Sequence, residues 1–238
     1  MTRQGGSARM TVYTLKGIEI DIPDWLRDTR IEEKLTSGDY ENKESNAALK
    51  RIKKGWRVLE IGAGLGYVSA ICGQAAGAEN VMSVEANPRM LEPIRQNLQR
   101  NGQGDVTLVH GAVVGDAHLT ESVAFRAGSL FWGGALVEEG KAPDDLVEVP
   151  AVPIGHLLAI HQPHFVMMDI EGGEQFLFDK KWPKCVRHVV LEVHLSKYPR
   201  KVLKKIVDCM SRSGLTYDPA TSSGRTLGFM RVGKVKKG

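Results

Sequence analysis

From residue 56 onward the chain repeats one unit, a short apolar run followed by a turn and a helix-patterned segment. "WRVLEI" leads into "GAGLGYVSAICGQAAGA", and "NVMSVEA" leads into "PRMLEPIRQNLQRNG". In the latter, Pro88 suits a first helical turn, Leu91, Ile94 and Leu98 form an apolar face, and Gly102 lies just past the end. "DVTLVHGAV" is a third run, and "HFVMMDI", "GEQFLFDKKW", "RHVVLEVHL" and "PRKVLKKIVDCMSRSG" continue the alternation. "LTYDPA" and "TLGFMRV", joined by a turn around Ser223-Gly224, close it as an antiparallel pair. Repeats of this kind bury their apolar faces as a parallel sheet covered by helices.

The expected fold is α/β, with a Rossmann-like seven-stranded, mostly parallel sheet, an antiparallel C-terminal strand pair and helices on both faces. One interruption stands before the fourth strand. There "SVAFRAG" and "LVEVPAV" alternate on either side of "GSLFWGGAL", which predicts a β-hairpin insertion over 115–163 with a short helix at "IGHLLAI". Upstream, "TVYTLKGIEIDIP" reads as a hairpin turning at Lys16-Gly17, residues 24–43 read as polar and irregular, and "KESNAALKRIKKG" reads as a helix stopped by Gly55. The expectation is a single domain, in which residues 1–54 pack on a core of 55–238.

At 238 residues and 42% hydrophobic content, the chain can bury a full core. It has no run of eighteen apolar residues and no apolar leader in "MTRQGGSARMTVYTLKG", so no membrane association is expected. Cys72, Cys185 and Cys209 show no CxxC spacing, which argues against disulfides and cysteine-rich zinc sites and for a reducing cytoplasm. The net charge of +4 is uneven: from Arg200 onward ten Lys/Arg face Asp208 and Asp218. A solvated helix face and basic tail account for that, and nucleic acid is not the expected partner.

"VLEIGAGLGY" places Gly62, Gly64 and Gly66 between a strand and a helix, where glycine lets the backbone turn sharply and a ligand approach it. Glu85, nineteen residues after Gly66, ends the second strand, where an acidic residue accepts hydrogen bonds from ribose hydroxyls. Dinucleotides and S-adenosylmethionine both fit that outline. The dinucleotide fingerprint is G-x-G-x-x-G, with a pyrophosphate at the helix N-terminus. Here the spacing is G-x-G-x-G, and Glu60 sits two residues before the first glycine. A carboxylate there repels pyrophosphate and suits the ammonium of a methionine moiety. A dinucleotide and purely structural glycines are the competing readings.

Taken with "VEANP", "NLQRNG" and above all "DIEGGE", the motif "VLEIGAGLGYVS" makes the chain resemble the class I S-adenosylmethionine-dependent methyltransferases. More narrowly it resembles the FkbM family, whose D-x-E-G-x-E signature "DIEGGE" matches, over about residues 40–198. The resemblance implies a seven-stranded sheet and methyl transfer, often to a hydroxyl of a sugar or small metabolite. It also implies Glu60, Gly62, Ala63, Gly64 and Gly66 around the methionine part of S-adenosylmethionine and Glu85 on the ribose. Ala86 and Asn87 would lie on the adenosine side, with Ala112 and Val113 as the adenine wall. The chain departs from the family at "PIGHLL", where an acidic "LDD" is usual.

Ligands in such sheets bind beyond the carboxyl ends of the strands. Asp169 ends the fourth strand, Glu192 and His194 end the fifth, and Glu171 follows on the turn. These four are the catalytic candidates, with His194 as the general base because it titrates near neutrality. Glu174 is expected to cap the next helix. A metal-dependent variant would use Asp169, Glu192 and His194, but no second acidic pair completes that set and no metal is expected. Tyr40, Glu41 and Glu44 are candidates to close over the cofactor, and Phe131 and Trp132 to form an apolar lid.

The expected activity is O-methylation of a small molecule or glycan hydroxyl. The alternatives are a protein side chain, a nucleic acid, or a silent cofactor- or partner-binding module. "DIEG" stands where base-methylating enzymes carry D/N-P-P-Y/F/W, and a homodimer is compatible with everything above.

Overall fold

The computed structural model describes residues 11–127 and 146–233. The expected lid residues Phe131 and Trp132 and the last lysines of the basic tail lie outside the described residues. β1 (Val12–Leu15) and β2 (Ile18–Asp21) form the expected hairpin, with Lys16 and Gly17 both at positive φ (48° and 80°). A two-residue turn matched to the strand twist requires that geometry.

Residues 24–43 are not irregular. α1 (Arg30–Ser37) starts where the Thr29 hydroxyl accepts from the Ile31 amide and ends at left-handed Gly38. The Glu32 carboxylate reaches back to the Asp28 amide at 2.6 Å. The signal was the T-x-x-E of a capping box, hidden because the helix buries just Ile31 and Leu35. α2 (Asn42–Arg51) follows and stops at Ile52, ahead of Gly55.

The repeating units then run in order. They are β3 (Val58–Ile61), α3 (Tyr67–Ala76), β4 (Val81–Glu85), α4 (Leu91–Arg100) and β5 (Thr107–His110). After β5 come β6 (Ala112–Val114), β7 (Ser122–Arg126), β8 (Leu146–Pro153) and α5 (Ile154–His161). The chain closes with β9 (Phe165–Met168), β10 (His188–Glu192), α6 (Arg200–Arg212), β11 (Leu215–Tyr217) and β12 (Thr226–Arg231). Seven strands form one sheet in the order β11-β12-β10-β9-β3-β4-β5. β12 runs antiparallel to both of its neighbours, and the other pairings are parallel. The order steps outward from β3 on one side and from β9 on the other. The crevice of such a fold lies at that reversal, beyond the ends of β3, β4, β9 and β10.

Alternation along the central strands supplies two cores. Val58, Phe165, Met167 and Val190 face α2, α3, α4 and the N-terminal hairpin. Leu59, Ile61, Val166, Met168, Val189 and Leu191 face α5 and α6. No described helix is long and apolar enough to cross a membrane.

Two elements differ from the sequence reading. "DVTLVHGAV" is not one strand, because it breaks at Gly111. A Cβ there would come within 2.6 Å of Val152 and 2.8 Å of the Pro150 carbonyl. β6 therefore leaves the main sheet and pairs with β8, which also carries β7 in the expected hairpin. "GEQFLFDKKW" is no α-helix but a single 3-10 turn at Gly173–Phe176. Its groups bond elsewhere: the Trp182 amide donates to Ser213 Oγ, and Phe178 stacks on Trp182 at 5.2 Å.

Asn97 of α4 is buried and makes three backbone hydrogen bonds. It accepts from the Asp21 amide and donates to the carbonyls of Asp21 and Leu65. One turn on, Asn101 pairs with both backbone groups of Glu19. The "NLQRNG" segment thus ties β2 and the glycine-rich turn to one helix face.

Candidate active site

The glycine-rich turn is held against the end of β9. A Cβ on Gly62, whose φ is 91°, would meet the Asp169 carbonyl oxygen at 2.1 Å, so no side chain fits. Gly64 and Gly66 are also left-handed, and Gly66 leads straight into α3. Ala63 is buried within the turn. The Glu85 carboxylate accepts from the Gly64 amide at 3.1 Å and from the Asn87 amide at 2.7 Å. Asn87 caps the 3-10 turn Pro88–Met90 through its Oδ1, and its buried Nδ2 finds no partner among the described residues.

Glu60 is buried on the α3 side of β3, where the Ser69 and Ser83 hydroxyls both donate to Oε2. Burial outweighs those bonds and pushes its carboxyl up to about 7. Ala112 belongs to a small apolar cluster with Phe125 and Val149, against which Ala86 packs. Val113 alternates to the other side and joins the core that includes Val84 and Ile154. The structure brings Ala86 and Ala112 together and turns Val113 away from them.

On the other side of the turn, Asp169, Glu171 and His194 converge. His194 is 5% exposed, and its Nε2 lies 3.5 Å from both Asp169 Oδ1 and Glu171 Oε2. Its other nitrogen, Nδ1, is 3.0 Å from Glu174 Oε1. Glu171 holds a left-handed backbone (φ 49°) ahead of left-handed Gly172, a conformation that costs a non-glycine residue about 1–3 kcal/mol. Glu192 is paired at 2.7 Å with Arg225, and its charge reaches Asp169 and Glu171.

The sequence reading gave Glu174 to a helix cap, and the structure places it in this cluster instead. It caps no α-helix. It is fully buried, and its Oε1 accepts from the Tyr198 hydroxyl (2.6 Å) and the His194 amide (3.1 Å) as well as facing Nδ1. Its Oε2 accepts from the Gly172 amide at 2.8 Å. Burial raises its proton affinity, but the bonds from His194 and Tyr198 outweigh burial and hold it below the usual carboxylate range. Burial alone would lower the affinity of His194 for a proton. The bond to Glu174 and the charges of Asp169, Glu174 and Glu171 reverse that, and the net shift is upward. The signal available in sequence was Tyr198 beside His194, four residues on.

The crevice is acidic throughout. Burial is the largest cause of raised proton affinity at Asp169, with Glu192's charge next, and burial also leads at Glu171. From α2 and the residue before it, Glu44 and Glu41 are raised by burial, with Glu60's charge acting on Glu41 and Glu192's on Glu44. Tyr40 is buried edge-on to Tyr67 at 6.0 Å. A separate cleft of about 570 Å³, lined by Ile154, Leu158, Phe176, Lys180 and Trp182 among others, contains none of these acids.

Residues 34–118 match the family model of protein-L-isoaspartate(D-aspartate) O-methyltransferase. The chain is 41% identical over 63 residues to the protein-L-isoaspartate O-methyltransferase of Methanococcoides burtonii, covering 26% of this chain and 31% of that one. It is 36% identical over 61 residues to the Methanothrix thermoacetophila protein of the same name, covering 25% and 29%. These matches span about a third of the relatives' length. Among solved structures, the precorrin-6y C5,15-methyltransferase of Geobacter metallireducens is similar at 18% identity and TM-score 0.43, covering 80% of this chain and 86% of that one. M. jannaschii TYW2 in complex with AdoMet is similar at 12% identity and TM-score 0.47, covering 96% and 90%. With its seven-stranded order and antiparallel closing pair, the chain has the class I methyltransferase fold.

Proposed function

We propose that this protein is an S-adenosylmethionine-dependent methyltransferase acting on oxygen. What carries the reading is the sign of the crevice. Glu41, Glu44, Glu60, Glu85, Asp169 and Glu171 all have raised proton affinity, so each gains from a nearby cation. A ligand with a sulfonium and an ammonium supplies positive charge, whereas a pyrophosphate would be repelled.

The residues present fit that cofactor. The Glu85 carboxylate, now held by two amides, can accept from ribose hydroxyls, and the partnerless Nδ2 of Asn87 can donate to the adenosine side. Ala86 and Ala112 offer an apolar flank. Gly62 seats the turn against Asp169, left-handed Gly64 bends the main chain beside it, and Glu60 and Glu41 are near enough to sense each other's charge. When bound, the cofactor supplies an activated methyl group.

The remaining work is alignment and proton removal. Alignment of two reactants is worth about 7–11 kcal/mol in favourable cases. His194 Nε2 faces the crevice while Glu174 holds Nδ1, so for a hydroxyl acceptor Nε2 is the atom that takes the proton, whereas a carboxylate acceptor is already ionised and needs alignment alone. Glu174 acts through His194 and is a positioning residue. Asp169 orients the acceptor or meets the cofactor's ammonium.

For the acceptor, the comparisons favour a protein side chain, in the manner of the isoaspartyl methyltransferases, over a small-molecule or glycan hydroxyl. The hydroxyl reading rests on the FkbM-like "DIEGGE", which lies outside the matched segment. The three free cysteines suit a cytoplasmic setting for either. Incubation with labelled S-adenosylmethionine, an isoaspartyl peptide and pooled hydroxyl acceptors tests both readings. A base-labile methyl ester on the peptide supports the first, and a base-stable ether on a hydroxyl supports the second. Absence of cofactor binding by calorimetry would overturn the whole reading.

A further inference from the structure

We infer that Asp169, Glu171 and His194 form a binding site for a divalent transition-metal ion such as Mn²⁺ or Zn²⁺. One ligand atom from each lies within 4.8 Å of the others. Both carboxylate contacts to His194 Nε2 are 3.5 Å, too long for an ordinary hydrogen bond. Metal–ligand bonds of about 2.0–2.2 Å put adjacent ligands roughly 3.0–3.5 Å apart, and these contacts fall at the upper edge of that range.

Two further observations point to a ligand. Asp169 Oδ1 is shielded from solvent and has no hydrogen-bond partner among the described residues. The His194 ring, 5% exposed, presents Nε2 to the same point while Nδ1 is held by the Glu174 carboxylate. A metal-bound histidine almost always donates its other N–H to a carboxylate or carbonyl in this way. Tyr198 and the Gly172 amide fix Glu174 in turn. Glu192 is engaged with Arg225, so the second carboxylate of the set is Glu171. One imidazole with two carboxylates selects Mn²⁺, Fe²⁺ or Zn²⁺ over Ca²⁺.

Metal binding stands on these residues alone. Its role rests on the proposed methyl transfer: with the ion bound, Nε2 is a ligand and no longer a base, and the ion in its place holds the acceptor oxygen and eases loss of a hydroxyl proton. The test uses EDTA-dialysed protein of residues 1–238 titrated with MnCl₂ alone, followed by calorimetry and by the Mn²⁺ paramagnetic resonance signal, then repeated with ZnCl₂. The expected result is one saturable site per chain, weakened more than about tenfold in E171Q and D169N and about 10–100-fold in E174Q. Circular dichroism confirms the fold of each variant, and the Glu171 carboxylate makes no hydrogen bond among the described residues for E171Q to remove.

No saturable uptake of either ion, or uptake unchanged in E171Q and D169N, overturns the proposal. So does a His194 ring that titrates as a free imidazolium with Mn²⁺ or Zn²⁺ present, since the cluster is then held by a proton. S-adenosylmethionine binding is measured on the same metal-free sample. Its loss with intact metal binding counts against the proposed function and not against this site.

Discussion

Glu174 Oε1 sits 3.0 Å from Nδ1 of His194 and also accepts from that residue's own amide. One carboxylate oxygen thus holds both the ring and the backbone of the residue that faces the crevice. E174Q keeps the shape and removes the charge. It should lower the proton affinity of His194, read as a downward shift in the His194 ring titration by NMR, and slow turnover by about tenfold or more. In the wild type the raised affinity of His194 contributes stability that is present at low pH and lost as pH rises through its folded value. E174Q should flatten that slope.

Gly62→Ala tests the closeness of the turn to β9. A Cβ 2.1 Å from the Asp169 carbonyl at a φ of 91° forces main chain to move. The expected loss is about 3 kcal/mol, or roughly 6–12 °C in Tm for a chain of this size. Calorimetry should show S-adenosylmethionine binding fall with it.

Glu85→Ala removes the acceptor of the Gly64 and Asn87 amides, so it should lower Tm and also weaken S-adenosylmethionine about 10–100-fold, as expected for a lost charged hydrogen bond of about 1.5–3 kcal/mol. Isothermal titration reads this directly. Unchanged affinity would remove Glu85 from the ribose.

Glu60 makes a pH-dependent prediction. Its folded carboxyl is raised to about 7, so the folded state binds the proton more tightly than the unfolded chain. That stability is complete below the ordinary carboxylate range and is lost as pH rises to about 7. E60Q should therefore raise Tm relative to wild type at pH 8 and do little at pH 4, while weakening the cofactor.

Asp218, which follows β11, has the opposite sign. It is 1% exposed and accepts two bonds from Arg51, at 2.6 and 2.8 Å. Burial raises its proton affinity, but the Arg51 and Thr221 bonds outweigh that and lower it, so its stabilisation is present at neutral pH and lost on acidification. Asp218→Asn should cost about 3 kcal/mol in urea unfolding at pH 7, the low end for a buried pair because Arg51 is 28% exposed.

The sheet was legible because its signals are local. The short apolar runs at Val58–Ile61 and Phe165–Met168 and the glycines after β3 name the parallel core and its crevice edge. The hairpin at Lys16-Gly17 and the closing pair at Ser223-Gly224 were equally readable, since turn chemistry acts over two residues. What escaped depends on partners distant in sequence. Gly111 breaks a strand because Val152 and Pro150 crowd it, and nothing near residue 111 says so. Leu177, Phe178 and Trp182 have helix-like spacing, yet Ser213 captures a backbone amide from that segment. Glu174 looked like a helix cap because its partners His194 and Tyr198 lie twenty or more residues away.

The side chains of Asn97 and Asn101 have a consequence for self-association. β2 ends a two-stranded sheet, and exposed strand edges recruit other chains. Here α4 meets that edge with amide groups of its own, filling the donor and acceptor positions of Glu19 and Asp21. The same Asn97 amide also holds the Leu65 carbonyl of the glycine turn. Replacing Asn97 would both unmask a sticky edge and loosen the turn, coupling aggregation to the integrity of the ligand crevice through a single residue.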